Sequence, residues 1–227
     1  MEQLALREKE IFTTLNAIKN FEFIVIGGYA VNAYTQPRFS IDCDIVVKND
    51  EELKKIDSKL IEQGYVLQDN TKLKSTPYYG EFRRYEKEIQ KNFSVSMDIL
   101  IGEVHDRQTD SRMTANWIFA NSENKKLVGK TIMQDLNVKI VTVDALTVMK
   151  LLSCRKTDMR DIFMLATSLT DVNWIKKEVD SRYGFEKRMK ILREYIHSEN
   201  FRNSLQGPFG KIDEAIFQEH LSMIDTL

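Results

Sequence analysis

The stretch IVIGGYAVNAYTQPRFSIDCDIVV, residues 24–47, contains the features that decide the fold and the candidate site. It begins with a short β-branched run, breaks at Gly27-Gly28, and continues through small and apolar residues that are typical of a short helix. A second strand-like run follows a proline and carries Asp42 and Asp44. The sequence therefore predicts a strand, a glycine turn, a helix and a second strand, with two carboxylates on the second strand.

Side chains of a strand alternate between its two faces, and this alternation decides where the two aspartates point. One face is predicted to hold four apolar or small side chains, Ile41, Cys43, Ile45 and Val47. Asp42 and Asp44 then lie side by side on the opposite face. Like charges this close repel and raise the pKa of a carboxyl group unless a bound cation offsets the repulsion. A hard divalent metal ion such as Mg²⁺ is therefore expected to bind both carboxylates.

A third candidate carboxylate occurs in the later strand-like run NFSVSMDILIG, residues 92–102, where Asp98 alternates with apolar positions. If this strand neighbours the Asp-x-Asp strand, Asp98 joins Asp42 and Asp44 in one site. Three acids of this kind can hold two metals, one lowering the pKa of an attacking hydroxyl and the other holding a leaving pyrophosphate. The sequence thus indicates a two-metal site for phosphoryl transfer.

Each motif also has an ordinary structural interpretation. An Asp-x-Asp strand is commonly a solvated face or edge, and a double glycine is commonly a plain turn. The turn here lacks both the third glycine of a dinucleotide site and the lysine of a phosphate loop. The functional interpretation is favoured by the order of the motifs, since Gly27 and Gly28 would present backbone N–H groups to a phosphate beside the acids.

Composition excludes several classes of protein. The chain has 227 residues with 42% hydrophobic content, enough to bury a core, and its net charge of -1 gives no general reason to expect a nucleic-acid or membrane surface. Cys43, Cys154 and three scattered histidines form no zinc or redox motif. No run approaches the roughly 20 apolar residues of a membrane span, and an export signal is not evident. We therefore expect a cytoplasmic protein without a membrane partner.

Hydrophobic periodicity predicts an α+β fold with a helical carboxy-terminal part. In the first part we predict helices at 2–19 and 51–64, a short helix from Tyr29, strands at 21–26 and 40–48, a hairpin of 78–88 with 92–102, and weaker strands near 126–133 and at 136–143. In the second part we predict helices at 145–154, 158–169, 173–179, 183–196 and 213–227. The expected domains are 1–143, mixed α/β, and 144–227, helical.

Three segments, IGGYAVNAY, PRFSIDCDI and VSMDIL, together resemble the nucleotidyltransferase superfamily that includes DNA polymerase beta. The resemblance implies a mixed β-sheet flanked by helices, followed by a helical bundle. The chain is more closely similar to AbiEii-type nucleotidyltransferases, some of which are toxins of toxin-antitoxin or phage-defence systems. Their Pro-Arg-x-Thr/Ser-x-Asp-x-Asp run is matched by Pro37, Arg38, Ser40, Asp42 and Asp44. The segment KLLSCRKTDMRDI, residues 150–162, resembles their helical Lys…Arg…Asp-x-x-Asp-Ile segment.

The resemblance implies an activity and a set of site residues. Asp42, Asp44 and Asp98 would bind two Mg²⁺ ions, with Mn²⁺ as a substitute, and Asp98 would assist deprotonation of the acceptor. The nucleotide would be bound by Gly27, Gly28, Arg38, Ser40 and Lys150. The implied reaction moves a nucleoside monophosphate from an NTP to a hydroxyl of RNA such as tRNA, of a protein or of a small molecule, with release of pyrophosphate. An antitoxin or other partner protein is implied where the enzyme is a toxin.

Some of these residues have two interpretations at the level of sequence. Arg38 is equally compatible with a phosphate contact and with an ion pair to an acid. Asp158 is expected to cap a helix and Asp161 to pair with Arg155 or Arg160. The alternative is that Arg155 and Lys156 reach the nucleotide. Tyr29 departs from the family, in which many members have a serine or threonine directly after the double glycine.

Rival functions use the same residues. A nucleotide-binding regulator, or the inert partner of a toxin-antitoxin pair, would keep the fold without the chemistry, although retention of three acids argues against it. Hydrolysis of a phosphodiester at the same metal site is a further alternative. The basic stretch 174–194 fits an ordinary solvated helix face better than a tRNA footprint. The aromatic residues Phe23, Tyr78, Tyr79 and Tyr85 are expected to pack in the core or sheet.

Overall fold

The computed structural model describes residues 2–68, 78–79, 81–134 and 136–227. The strands are β1 (Ile24–Val25), β2 (Asp42–Val47), β3 (Val66–Leu67), β4 (Tyr78–Tyr79), β5 (Phe82–Gln90), β6 (Phe93–Ile101), β7 (Glu103–Asp106), β8 (Arg112–Thr114), β9 (Ser122–Leu127) and β10 (Leu136–Val141). The helices of the first part are α1 (Glu2–Ile18), α2 (Gly27–Val31), α3 (Asp50–Glu62) and α4 (Ala115–Ala120). The later helices are α5 (Val143–Ser153), α6 (Lys156–Leu165), α7 (Val172–Asp180), α8 (Phe185–Ile196), α9 (Phe201–Phe209) and α10 (Glu214–Thr226).

Two sheets organise the strands. Within the described residues the larger sheet has seven strands in the order β3-β5-β6-β2-β1-β10-β9, and the smaller has three in the order β4-β7-β8. In the larger sheet β2 is parallel to β6 and β1 is parallel to β10, while the other pairs are antiparallel. The predicted α+β class, with a mixed sheet flanked by helices and a helical carboxy-terminal run, is confirmed.

The core forms where the apolar face of the sheet meets the helices. Along α1, Ile11, Leu15 and Ile18 are fully buried, as their helical spacing predicts. The α3 helix begins where Asn49 accepts a hydrogen bond from the backbone N–H of Glu52, a side-chain cap at the amino terminus. Both helices pack against β6, and this leaves the opposite face of β6 to carry the polar groups of the site.

The hairpin prediction is confirmed for its inner part only. Strand β5 pairs with β6 along most of its length. The first predicted arm does not begin at residue 78, because Tyr78–Tyr79 forms β4 and pairs with β7 in the smaller sheet. The side chains of those two tyrosines lie outside the described residues. Among the other aromatic predictions, Phe23 and Tyr85 are buried as expected.

The predicted strand near 126–133 is wrong in position, since β9 ends at Leu127. The physical reason lies in α1, where the buried Glu8 carboxylate accepts hydrogen bonds from the backbone N–H groups of Lys130 and Thr131 at 2.6 and 2.7 Å. These bonds replace sheet pairing for the loop. The sequence analysis also missed β3, β7, β8, α4 and α9, the last of which contains Pro208.

The turn between α5 and α6 directs the helical part toward the sheet. Cys154 ends α5 in the left-handed conformation, with φ of 47°. Asp158 then caps α6, because its carboxylate accepts a hydrogen bond from the Arg155 backbone N–H.

None of the described helices is both long and apolar enough to cross a bilayer.

Candidate active site

Three carboxylates meet at one end of the β2–β6 pair. The parallel register places Asp44 directly beside Asp98, with Asp42 two residues before Asp44 on the same face. Carboxylate oxygens of the three residues all lie within 4.8 Å of one another. Asp44 and Asp98 are buried, and Asp42 is partly exposed. The two acidic strands are neighbours, which meets the condition on which Asp98 was expected to join Asp42 and Asp44.

The face of β2 opposite the aspartates is apolar, as predicted, for three of the four residues assigned to it. Cys43, Ile45 and Val47 are fully buried. Ile41 is not part of that face, because it precedes the strand and its residue surface is 70% exposed beside the carboxylates. The chain has not yet entered the sheet at this position, so strand alternation does not apply to it. Ile41 instead lines the entrance of the cleft.

Burial and mutual repulsion dominate the electrostatics of the acids. Burial, followed by the charges of Asp42 and Asp98, raises the pKa of Asp44 well above its ordinary value. Burial also raises the pKa of Asp98, although hydrogen bonds from Arg84 act in the opposite direction. Removing water from a carboxylate disfavours its charged form, and neighbouring carboxylates add to this effect. The cluster is therefore electrostatically prepared to accept positive charge.

The glycine turn fits against these acids with no room for a side chain. Gly27 has φ of 65°, and a Cβ built on it would overlap Oδ2 of Asp44. A Cβ on Gly28 would overlap Oγ of Ser40 and approach the Arg38 guanidinium to 3.2 Å. The α2 helix starts at Gly27, two residues earlier than predicted. Both glycines are thus required by the close approach of the turn to the polar face of β2.

Tyr29 does not supply a hydroxyl to the cleft. Its side chain is buried in the core, 1% exposed, where it makes an edge contact with Phe12 at 6.4 Å between ring centroids. Its hydroxyl has no hydrogen-bond partner among the described residues. Burial raises the pKa of this phenol well above its ordinary value. The departure from the family pattern therefore leaves the turn with backbone groups and the nearby Ser40.

A chain of alternating charges forms the opposite wall of the cleft. Arg38 makes a two-pronged ion pair with Asp161, with N···O distances of 2.8 and 2.7 Å. Lys150 bonds to Asp161 at 2.7 Å and to Asp158 at 3.2 Å. Asp158 in turn accepts a bond from Nε of Arg155 at 2.8 Å. We call these five residues the charge chain.

Opposite charges within the charge chain shift the pKa values of Asp158 and Lys150 against the effect of burial. Burial alone would raise the pKa of Asp158, but the charges of Lys150 and Arg155 and hydrogen bonds from Ser153 and Arg155 lower it to about 2. The pKa of Lys150 is raised, since the two aspartates outweigh the opposite effect of burial. Both shifts favour the charged forms of Lys150 and Asp158. Three cations face two carboxylates, and the charge chain carries one net positive charge.

The charge chain corrects one sequence prediction and confirms another. Asp161 does not pair with Arg155 or Arg160, because its oxygens are held by Arg38 and Lys150. Arg160 instead donates to the backbone oxygen of Ser204 at 3.0 Å. Asp158 caps α6 as predicted.

A cleft of about 390 Å³ separates the carboxylates from the charge chain. All of the predicted site residues line it, namely Gly27, Gly28, Arg38, Ser40, Asp42, Asp44, Asp98 and Lys150. Arg155 and Arg160 also line it, whereas Lys156 is exposed and does not. The structure thus brings the predicted residues together, and their chemical roles stay predictions.

Sequence reasoning missed Arg84, which makes the closest cation contact with the acids. Its guanidinium bonds both oxygens of Asp98, at 2.8 and 2.5 Å, and lies 3.9 Å from an oxygen of Asp42. Arg84 is the cross-strand partner of Asp98 in the β5–β6 hairpin. Counting outward from the hairpin turn does not find this pair, because the register of the two strands shifts by one residue between Glu88 and Gln90.

The basic stretch 174–194 makes mostly local ion pairs. Arg182 pairs with Glu178, Lys176 with Glu186 and Lys190 with Glu194. Arg188 is buried with its guanidinium over the ring of Tyr183. These contacts agree with the structural interpretation of this stretch, and an RNA contact here stays a prediction.

Comparisons with known proteins identify the fold. No protein-family model and no curated protein sequence matches the chain. The crystal structure of a presumptive nucleotidyltransferase from H. pylori is similar with a TM-score of 0.52 and 16% identity, covering 100% of this chain and 95% of that chain. The crystal structure of ANT(2″)-Ia in complex with adenylyl-2″-tobramycin has a TM-score of 0.36 and 13% identity, with coverages of 90% and 99%. The first similarity shows a nucleotidyltransferase-like fold, and the second is too low to support an argument.

The fit between Gly27 and Asp44 predicts a specific energetic coupling. Gly27→Ala should lower the free energy of unfolding by about 1 to 2 kcal/mol from backbone strain, and by about 1 to 3 kcal/mol more from overlap with Asp44. In an Asp44→Ala background the overlap with the carboxyl group is gone, and the cost should fall to the strain plus one tight contact with the Cβ of residue 44, at 3.2 Å. Gly210→Ala is the matched control, because Gly210 has φ of 83° and nothing within 4 Å of a built Cβ. Urea unfolding of the four variants measures the coupling, and equal costs for Gly27→Ala in both backgrounds would contradict it.

The charge chain predicts a large cost for losing its central acid. Asp161→Ala leaves the buried Lys150 and the partly buried Arg38 without their shared partner, and should destabilise the fold by about 3 to 5 kcal/mol. Glu62→Ala, which breaks an exposed pair with Lys59, should cost less than about 1 kcal/mol. Chemical unfolding measures both variants. A cost for Asp161→Ala no larger than that for Glu62→Ala would show that the charge chain does not hold the cleft wall.

The raised pKa of Asp44 predicts how stability depends on pH without divalent ions. Between its ordinary pKa of 3.8 and the raised value, the folded chain binds more protons than the unfolded chain. The free energy of unfolding therefore falls as pH rises through this window. Asn has no charge to bury, so Asp44→Asn in EDTA should be more stable than the native chain at about pH 8. For a chain of this length, each 1 kcal/mol of added stability should raise the Tm by about 2 to 4 °C.

The same prediction requires the advantage of Asp44→Asn to shrink toward about pH 4, where the native carboxyl is also neutral. Asp50→Asn, at an exposed position on α3, serves as the control and should show no such pH-dependent gain. Thermal unfolding across this pH range measures all three chains. A variant less stable than the native chain at both ends of the range would contradict the assigned direction of the pKa shift.

Proposed function

We propose that the chain is a divalent-metal-dependent nucleotidyltransferase that moves a nucleoside monophosphate from an NTP to a hydroxyl acceptor. The observation that carries the proposal is the meeting of Asp42, Asp44 and Asp98 within 4.8 Å, in a cleft of a nucleotidyltransferase-like fold. A structural role alone gives no reason to bury Asp44 beside two further carboxylates, since their charges add to the cost of its ionisation.

The donor set fits hard divalent ions. It consists of carboxylate oxygens, which suit Mg²⁺ and Mn²⁺, and the buried Cys43 lies on the other face of β2. Two ions are proposed, because three carboxylates can be shared between two metals. When bound, such ions supply positive charge to the phosphate oxygens and lower the pKa of the attacking hydroxyl.

The rest of the cleft is suited to the triphosphate. Gly27 and Gly28 let the phosphates approach the main chain, and Ser40 places its hydroxyl beside Gly28. The charge chain contributes one net positive charge on the facing wall, through Lys150 and Arg155. Arg38 already binds Asp161 through two hydrogen bonds. We therefore assign Arg38 to holding Asp161 in place, which is the structural alternative of its two interpretations.

In the proposed reaction the acceptor oxygen forms a bond to the α-phosphorus, and the bond from that phosphorus to the bridging oxygen of the β-phosphate breaks. Pyrophosphate leaves with the bonding electron pair. The hydroxyl proton passes to Asp98 or to solvent, because Asp98 has a raised pKa and lies beside the other two acids. The chain thus contributes positioning and charge rather than a covalent intermediate.

The acceptor and the biological role are proposed from the sequence motifs. The match of Pro37, Arg38, Ser40, Asp42 and Asp44 to the AbiEii-type run supports a toxin or phage-defence component acting on RNA such as tRNA, a protein or a small molecule. A toxin of this kind would act in the cytoplasm and have an antitoxin partner.

The experiment is label transfer from each α-labelled NTP in the presence of Mg²⁺ and total RNA or cell lysate. Asp42→Asn and Asp98→Asn should each reduce transfer by about a thousandfold or more, because each removes a ligand that no neighbour replaces. Asp50→Asn, an exposed acid outside the cleft, should transfer at the native rate. Undiminished transfer by Asp42→Asn would contradict the proposal. Tight NTP binding without transfer to any acceptor would support the regulator instead.

A further inference from the structure

Arg84 belongs to the carboxylate site by geometry, although no role has been assigned to it. It lies on β5 directly across from Asp98 on β6, and its side chain points to the face of the sheet that carries the three acids. The guanidinium reaches both oxygens of Asp98 and comes within 3.9 Å of Asp42. Its side chain is 22% exposed, and that of Asp98 is 2% exposed. This cation is therefore held against the candidate metal ligands in a partly buried position.

The contact leaves Asp98 able to bind a metal as well. An ionised carboxylate has about four lone-pair sites, and a guanidinium fork uses two of them. Arg84 therefore does not need to leave for Asp98 to act as a ligand. What Arg84 changes permanently is the charge of the site, because an arginine does not lose its proton in a protein.

Charge then decides how many divalent ions the site accepts. The three carboxylates and Arg84 together carry a net charge of two negative units when all are ionised. One divalent ion neutralises this charge. A second ion would leave two uncompensated positive charges in a partly buried site, beside a charge chain that is already net positive. Such an excess of charge is strongly disfavoured at low dielectric.

We propose that Arg84 limits the site to one divalent ion until the phosphates of a nucleotide arrive with the second. This inference rests on the proposed nucleotidyltransferase function and names a residue that controls the order of assembly. Negative phosphate oxygens offset the charge that Arg84 and the second ion contribute. The pair of ions needed for transfer is then complete only when a nucleotide is present.

The test counts Mn²⁺ bound per chain by equilibrium dialysis and by the electron paramagnetic resonance of free Mn²⁺. The native chain should bind about one ion, and about two in the presence of an NTP analogue with a non-hydrolysable α,β-bridge. Arg84→Gln should bind about two ions without the analogue, with the second bound about tenfold or more tighter than in the native chain. Arg84→Lys keeps the charge and should behave as the native chain.

Arg83→Gln is the matched control. Arg83 precedes Arg84 on the same strand, points to the other face and pairs with Glu81 at 3.1 Å. The Arg83→Gln variant removes the same charge from the chain as Arg84→Gln. It should still bind about one Mn²⁺ ion per chain without the analogue. Thermal unfolding checks that each variant is folded. If Arg84→Gln does not fold, the counts for the native chain with and without the analogue still test the proposal.

The outcomes separate the two proposals. A native chain that binds no Mn²⁺ and transfers no nucleotide would overturn the proposed function, and this inference with it. A native chain that transfers nucleotide but binds two ions without the analogue would overturn only the role of Arg84. A folded Arg84→Gln that still binds one ion would do the same.

Discussion

The parallel pairing of β2 with β6 is the constraint on which the rest of the cleft depends. Its register places Asp44 beside Asp98, and the sheet buries both carboxylates. Three acids within 4.8 Å of one another repel, and burial denies two of them the solvent that would otherwise screen that repulsion. Positive side chains from the surrounding elements offset this repulsion, and the backbone of the glycine turn packs closely against Asp44. Arg84 comes from the same sheet, the charge chain comes from the helices, and the glycine turn fits against Asp44.

The charge chain ties the helical part of the molecule to the sheet. Arg38 belongs to the loop that leads into β2, whereas Asp161 is on α6, and the two are joined by two short hydrogen bonds. Lys150, on α5, shares that carboxylate. Buried ion pairs often add little net stability, but removing one partner is costly. The same bonds that hold the helices against the sheet therefore also fix the width of the cleft, so fold and site depend on one network.

The sequence predicted what local periodicity and short motifs can encode. Alternation put Asp42 and Asp44 on one face of a strand, and a second acidic strand indicated Asp98 as their partner. It could not predict the pairing of Arg38 with Asp161, since those residues are 123 positions apart and only tertiary packing brings them together. Local helix rules instead favoured nearby arginines as partners of Asp161. Arg84 could not be found by counting along the hairpin either, because the register shift between Glu88 and Gln90 moves the pairing of β5 with β6 by one residue.

The early start of α2 at Gly27 changes which side chain can place a hydroxyl beside the glycine turn. Because α2 begins at Gly27, the third residue of the helix points into the core, and Tyr29 packs there against Phe12. Its hydroxyl is therefore unable to replace the serine or threonine expected after the double glycine. Ser40 approaches the same turn from the loop before β2, with Oγ in the space that a Cβ on Gly28 would occupy. In the proposed reaction the Ser40 hydroxyl lies beside the phosphates of the nucleotide. A side chain at position 28 would overlap this hydroxyl, so the arrangement requires a glycine there.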